Sequence, residues 1–143
     1  MKQKDLYLHK NHSQQYLQMA LLEDKHRIIK NPEGYGKRKG ACGDTIEMFI
    51  RVRNECIQSV SFTSNGCLNT YACANTVALL VEGKTINDAW AITPEKVIKY
   101  LETLPEEDTH CAELAVGVLY LSLANYRELQ HSPWKRLYQN NEG

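Results

Sequence analysis

The sequence predicts one domain that mixes α-helices with an antiparallel β-hairpin. Apolar and polar residues alternate over residues 45–53 and again over 57–64, which is the pattern of two strands that each bury one face. Elsewhere apolar residues recur every three to four positions, as they do in amphipathic helices. A chain of 143 residues has the size of one ordinary domain and is long enough to bury a core.

Composition narrows the class of protein. Hydrophobic residues make up 43% of the chain and charged residues 24%, which is the balance of a soluble globular domain. Because 17 basic and 17 acidic residues cancel, no electrostatic bias favours nucleic acid or a membrane surface as a partner. The N-terminus lacks the apolar stretch of a secretory signal, and no apolar run is long enough to span a bilayer. We therefore expect a cytoplasmic protein.

The helical pattern is interrupted by clear start and stop signals. Asn31-Pro32 ends the first helix because a residue before proline avoids helical geometry, and Thr93-Pro94 supplies a cap and first residue for a later one. Gly83 is a candidate C-terminal cap. The polar, glycine-containing segment 35–39 is either a link or a short edge strand. The predicted helices cover residues 12–29, 69–82, 86–91, 94–103 and 111–130.

The hairpin brings distant parts of the chain together. Asn54-Glu55 is its predicted turn. Because a hairpin folds back on itself, the start of its first strand and the end of its second lie side by side. This places Cys42, which precedes the first strand, close to Cys67, which follows the second. Cys56 lies at the opposite end, at the turn, and is expected to be incidental.

Cysteine is the informative residue type. The five cysteines are an odd number and no export signal precedes them, which argues against a disulfide framework. In a reducing compartment several thiols indicate metal or sulfur chemistry, or small buried hydrophobes. Cys67 directly precedes a predicted helix, and Cys111 lies in the first turn of another. The helix dipole and free N–H groups favour a thiolate at such positions.

The candidate ligands all lie where predicted elements begin or end. The three cysteines among them are 25 and 44 residues apart, which is too far for a compact zinc finger, so the fold itself must assemble the site. Three thiolates with one nitrogen or oxygen ligand suit either zinc or an iron–sulfur cluster, and the residues alone leave both open. Cys73 is either a fourth thiolate or a buried hydrophobe. The candidate ligands are Cys42, Asp44, Cys67, His110 and Cys111.

These motifs carry a resemblance to a known family. Cys42-Gly43-Asp44, then Gly66-Cys67, then Leu104-Pro105 followed by His110-Cys111, resemble in order and spacing the IscU/NifU-type iron–sulfur cluster assembly scaffold family. The match extends over roughly two-thirds of the chain, from residue 31 to about residue 126. It implies an α+β fold with a small antiparallel sheet of about three strands, helices packed on one face, and the cysteines at one exposed end. The implied organisation is an N-terminal extension and helix at 1–30, a scaffold domain at 31–130 and a polar tail at 131–143.

The resemblance also implies a function. Members of this family receive sulfur from a cysteine desulfurase as a persulfide, combine it with iron and electrons, and pass a labile [2Fe-2S] cluster to acceptor proteins; they are scaffolds or carriers, not enzymes. Position by position, Cys42, Cys67 and Cys111 match the cluster and persulfide cysteines, and Cys111 is predicted by analogy to be the first persulfide acceptor. Asp44 matches the family carboxylate, and His110 matches the residue beside the third cysteine. Zinc is the alternative occupant of the isolated protein.

The chain departs from the family at one partner motif. Scaffolds served by a dedicated Hsp70-type chaperone carry Leu-Pro-Pro-Val-Lys before the His-Cys pair, whereas this chain has Leu104-Pro105-Glu106-Glu107-Asp108. An acid replaces the lysine, which argues against docking by such a chaperone.

Two other functions are compatible with the ligand types. One is a zinc-binding sulfur-transfer partner of a cysteine desulfurase, although members of that branch generally carry a basic residue where His110 stands. The other is a zinc hydrolase, which requires a general base in a cleft, for which Asp44 is the only obvious candidate. We rank the hydrolase last.

Overall fold

A three-stranded antiparallel sheet carries the helices on one face. The computed structural model describes residues 12–41, 43–132 and 134. The strands are β1 (Gly34–Lys39), β2 (Thr45–Arg53) and β3 (Cys56–Ser64), in the spatial order β1-β2-β3. The helices of the described residues are α1 (Gln14–Leu21), α2 (Leu68–Val81), α3 (Ile86–Ala89), α4 (Pro94–Leu101) and α5 (Thr109–His131), with a 3-10 turn at Glu106–Asp108. The α+β class expected from the sequence is confirmed.

The predicted hairpin is present. Asn54 and Glu55 have φ angles of 55° and 62°, so both turn residues occupy the left-handed region that a tight two-residue turn between twisted strands requires. Arg53 pairs with Cys56 across this turn. Cys56 also forms an isolated bridge with Thr85, which keeps it at the far end of the sheet from the other candidate ligands.

The polar segment before β2 forms the edge strand β1. Two of its glycines allow it to pack closely against α5. A Cβ on Gly34 would lie 2.5 Å from the carbonyl oxygen of Ser122, and one on Gly36 would lie 2.8 Å from that of Val118. The backbone of α5 therefore rests directly on β1. The backbone N–H of Tyr35 also donates to the Asn125 side chain of α5, at 2.9 Å. Contact with the helix, and not apolar alternation, stabilises this strand.

The first helix ends earlier than the sequence predicts. The pattern indicates a helix to residue 29, but α1 ends at Leu21. The reason is Asn75 of α2, a side chain that is 1% exposed and whose Nδ2 donates to the carbonyl oxygens of Met19 (2.8 Å) and Leu22 (3.0 Å). The chain then runs beside β3, where the carbonyl of Lys25 accepts from the N–H of Phe62 at 2.9 Å.

The remaining helix signals agree with the structure. The Thr93 side chain accepts from the N–H of Lys96 and caps α4, and Gly83 follows α2 with a φ of 85°. The last helix begins at Thr109, slightly before the predicted start at residue 111. Among the described residues, no helix combines the length and the apolar character of a membrane span. Large core side chains with under 2% exposure include Ile46, Met48, Ile50, Phe62, Val77, Leu119 and Leu123.

Replacing Gly36 with alanine tests the contact between α5 and β1. The new Cβ would lie 2.8 Å from the Val118 carbonyl oxygen and 2.9 Å from the Leu121 Cβ, so the helix must move away from the strand. We expect the free energy of unfolding to fall by about 1–3 kcal/mol, measured by urea denaturation. Lys37→Ala, at the exposed neighbouring position, should change it by less than about 0.5 kcal/mol. Equal midpoints for the two variants would contradict the close contact.

Candidate metal centre

Three elements meet at one end of the molecule and bring candidate ligands together. Asp44 precedes β2, Cys67 is the N-cap of α2, and Cys111 lies in the first turn of α5. One carboxylate oxygen and the two sulfurs lie within 4.8 Å of one another. Cys42 lies outside the described residues. His110 shares a second group with Cys111 and Asp108, and not with Asp44 and Cys67.

A tight turn holds Asp44 at the start of β2. The N–H of Gly40 donates to the Asp44 carbonyl at 2.7 Å, and the N–H of Gly43 donates to the Gly40 carbonyl at 3.0 Å. Gly43 has a φ of 94°, which favours a residue without Cβ. The N–H of Thr45 donates to the Asn65 side chain at 2.8 Å, so the start of β2 is tied to the segment that follows β3. The hairpin therefore brings Asp44 close to Cys67, while the predicted proximity of Cys42 to Cys67 stays a prediction.

The two thiols differ in exposure but share one electrostatic feature. Cys67 is exposed, whereas Cys111 is 1% exposed. Each lies at the N-terminal end of a long helix, and the side chain of Cys67 forms no capping bond with its helix. The N-terminus of a helix carries a partial positive charge, and a metal binds the thiolate form of cysteine.

The hydroxyl of Thr70, a residue that the sequence reasoning missed, lies between the ligands. The side chain is fully buried, and its Oγ1 donates to Oδ2 of Asp44 at 2.8 Å. The same oxygen lies 3.6 Å from the Cys111 sulfur and 3.9 Å from the Cys67 sulfur. The one available sequence signal was its spacing, because a residue three positions after Cys67 lies on the same side of the helix.

Gly66 makes room for this threonine. A Cβ on Gly66 would lie 2.6 Å from Oγ1 of Thr70. This contact explains why a glycine precedes Cys67. The glycine allows the Thr70 hydroxyl to lie close to the Asp44 carboxylate and to the two sulfurs.

The hydroxyl of Thr70 has a defined hydrogen-bonding pattern. A threonine has one proton to donate and two lone pairs that accept. Since the proton goes to Asp44, the lone pairs remain to accept weak bonds from the two thiols. Asp44, Cys67 and Cys111 would hold a metal here as a carboxylate and two thiolates, and the bond from Thr70 would orient the Asp44 carboxylate.

Cys73 lies beneath this site in the core. It is 0% exposed, and burial raises the pKa of its thiol well above the ordinary value, with smaller contributions from the negative charges of Cys111, Cys67 and Asp108. Among the described residues, neither group of potential metal ligands includes it. This placement supports the interpretation of Cys73 as a small buried hydrophobe.

The donor atoms fit a borderline divalent metal or an iron–sulfur cluster. Two sulfurs and one carboxylate oxygen converge, and His110 places its Nε2 at 3.7 Å from the Cys111 sulfur. Sulfur with nitrogen or oxygen is the ligand mixture that zinc and iron accept, whereas magnesium and calcium prefer oxygen alone. The site can therefore hold a cation through Asp44, Cys67 and Cys111.

Removing the Thr70 hydroxyl should weaken metal binding at this site. Thr70→Val keeps the shape but leaves Asp44 without the bond that orients it, so we expect about 10–100-fold weaker affinity for Zn²⁺. Competition with a chromogenic chelator measures this affinity. Thr70→Ser, which retains the hydroxyl, should bind within a few-fold of the wild type. Equal affinities for the valine and serine variants would contradict a role for the hydroxyl.

Tyr16 predicts how stability depends on pH. The residue is 2% exposed, and its pKa is raised to about 12, first by burial and then by the negative charges of Cys67 and other nearby groups. Because the unfolded phenol titrates near 10, this contribution to stability is complete below pH 10 and is lost as the pH rises through about 12. The loss is about 2–3 kcal/mol.

Urea denaturation of the wild type and Tyr16→Phe, from pH 8 to pH 12 in a reducing buffer, measures this contribution. The wild type should lose stability more steeply than the variant between pH 10 and pH 12. Since the other tyrosines are common to both proteins, parallel curves would show that Tyr16 titrates normally.

Comparisons with known proteins show which proteins this chain resembles. The profile of the NifU-like N terminal domain family matches residues 21–132. The chain is 30% identical over 108 residues to the iron–sulfur cluster assembly scaffold protein IscU 1 of Archaeoglobus fulgidus, covering 68% of this chain and 71% of that protein. It is 28% identical over 102 residues to the scaffold protein IscU of Aquifex aeolicus, covering 69% and 65%.

A solved structure shares the fold. The N-terminal part of a nitrogen-fixing NifU-like protein from Brucella abortus superimposes with a TM-score of 0.64 at 16% identity, covering 81% of this chain and 94% of that one. The family profile and the relatives indicate one family, and the fold agrees with them. The chain belongs to the NifU-like N-terminal domain family.

Proposed function

We propose that this protein is a scaffold on which a labile [2Fe-2S] cluster is built from iron, persulfide sulfur and the electrons that reduce this sulfur to sulfide, and from which the cluster passes to acceptor proteins. The observation that carries the proposal is the convergence of Asp44, Cys67 and Cys111 within 4.8 Å at the end of the molecule where Cys67 is exposed. Curated relatives in the same family bear the name of iron–sulfur cluster assembly scaffolds.

The ligand set suits a cluster that is transferred to another protein. Cys42, Cys67 and Cys111 are the proposed thiolates, and Asp44 or His110 completes the coordination. Carboxylate oxygen is a hard ligand and a poor match for iron bridged by soft sulfide, so this set holds a cluster less firmly than four thiolates. A scaffold needs this weaker hold, because it gives up its cargo to a protein with better ligands.

Sulfur is proposed to arrive as a persulfide from a cysteine desulfurase. The Cys111 thiolate attacks the outer sulfur of the partner's persulfide, a new S–S bond forms on Cys111, and the desulfurase leaves as a thiolate. Cys67 is exposed, but Cys111 is only 1% exposed. Attack by Cys111 therefore requires the start of α5 or the turn before β2 to move when the desulfurase docks. The chain itself is a carrier in this scheme, and the desulfurase supplies the enzyme chemistry.

Anaerobic incubation with ferrous iron, cysteine, a cysteine desulfurase and dithiothreitol, which supplies the electrons that reduce persulfide sulfur to sulfide, tests the function. We expect the visible absorption of a [2Fe-2S] cluster in the wild type and its loss in Cys42→Ala, Cys67→Ala and Cys111→Ala. Cys56→Ala is the matched control, because Cys56 lies at the far end of the hairpin, and it should retain the absorption. Mass spectrometry of the sulfur-loaded, iron-free protein should find the added sulfur on the peptide that contains Cys111.

A different result would favour the second candidate. If the purified protein holds one tightly bound zinc ion and accepts no iron under these conditions, the scaffold proposal fails. The zinc-binding sulfur-transfer partner of a desulfurase would then account for the same ligands.

A further inference from the structure

A second group of ligand atoms lies beside the first. A carboxylate oxygen of Asp108, a ring nitrogen of His110 and the sulfur of Cys111 lie within 4.8 Å of one another. Asp108 ends the 3-10 turn Glu106–Asp108 and is the N-cap of α5, but its side chain forms no capping bond. An aspartate at this position ordinarily accepts a bond from an N–H of the first helical turn. The carboxylate of Asp108 is instead turned toward another element.

The Asp108 carboxylate is oriented by a short chain of hydrogen bonds from α1 and α2. The Nδ2 of Asn69 donates to Oδ2 of Asp108 at 2.9 Å, and Oδ1 of Asn69 accepts from the hydroxyl of Tyr16. Tyr16 is 2% exposed and therefore fixed by the core. A carboxylate has about four acceptor positions, so one bond from Asn69 orients the group and leaves capacity to bind a cation. Ligating carboxylates are commonly supported in this way.

The mixture of donors indicates the kind of cation. Oxygen, nitrogen and sulfur from three side chains suit a first-row divalent metal such as Fe²⁺, Co²⁺ or Zn²⁺. Such metals hold these ligands at about 2.0–2.3 Å, which places tetrahedral ligand atoms roughly 3.3–3.8 Å apart. The His110 Nε2 and the Cys111 sulfur are already 3.7 Å apart.

We infer that Asp108, His110 and Cys111 form a second divalent-cation position that shares the Cys111 thiolate with the position at Asp44 and Cys67. Cation binding deprotonates the two thiols, so four anionic groups, Asp44, Cys67, Asp108 and Cys111, neutralise two dications. A shared thiolate also permits the separation of about 3.5–4 Å that is common in two-metal sites. If the proposed function holds, this position receives an incoming ferrous ion beside the cysteine that carries sulfur.

Cobalt binding tests the second position without any cluster. Untagged wild type, Asp108→Asn and Glu107→Gln are dialysed anaerobically against Co²⁺, and bound cobalt is counted by elemental analysis while thiolate-to-cobalt absorption is recorded. Glu107 is the matched control, since it is an exposed acid in the same turn and its substitution removes the same charge. We expect about two cobalt ions per chain in the wild type and Glu107→Gln, and about one, with thiolate-to-cobalt absorption, in Asp108→Asn. One ion in every protein, or two in Asp108→Asn at unchanged affinity, would overturn the inference.

A second variant tests the orienting bond, and a parallel assay separates this inference from the proposed function. Asn69→Ala retains Asp108 but removes its hydrogen bond, so its second cobalt ion should bind about 10–100-fold more weakly while the first is unchanged. The same proteins are incubated with iron and desulfurase. If no protein forms a cluster but Asp108→Asn still loses one cobalt ion, the scaffold function fails and the second position stands. If the wild type forms a cluster and Asp108→Asn binds cobalt as Glu107→Gln does, the second position fails and the scaffold function stands.

Discussion

The contact between the backbone of α5 and the edge strand β1 determines where the ligands lie. Gly34 and Gly36 leave no side chain between strand and helix, so the middle of α5 is fixed against the sheet. The contact continues toward the site, where a Cβ on Gly40 would lie 3.1 Å from Leu114. Because a helix is stiff, fixing its middle also limits the positions that Cys111, at its start, can take. Strand β1 also leads through the turn at Gly40 to Asp44 before β2, so both sides of the site depend on one contact.

Thr70 shows how the site is organised when no metal is bound. Two thiols and a carboxylate at close range would repel one another if all were charged, and the buried hydroxyl gives each of them a hydrogen-bonding neighbour instead. The ligand atoms are thus held near their binding positions before a cation arrives, which lowers the cost of assembling the site. Under the proposed function this hydroxyl does not bind the cluster, so it would not oppose transfer of the cluster.

Local sequence signals made much of the secondary structure predictable. The tertiary contacts could not be predicted from the sequence. The hairpin turn at Asn54 and the cap at Thr93 depend on residues within a few positions, so the sequence contains all the information they need. The early end of α1 depends on Asn75, which lies far along the chain, and periodicity cannot register such a contact. For the same reason the ligand types could be inferred from motifs, while the roles of Thr70 and Asp108 became visible only when three helices were packed together.

The outer edge of β3 limits how other proteins can approach. The N–H groups of Val60, Phe62 and Ser64 donate to the Glu82 carboxylate (2.9 Å), the Lys25 carbonyl (2.9 Å) and the His26 ring (3.4 Å), so this row of donors is already occupied. A strand of another protein therefore cannot accept hydrogen bonds from these N–H groups, and β-augmentation at this edge is blocked. Partners must accordingly be recognised at surfaces other than this strand edge. Under the proposed function, charge and shape at those surfaces would distinguish a donor of sulfur from a recipient of the finished cluster.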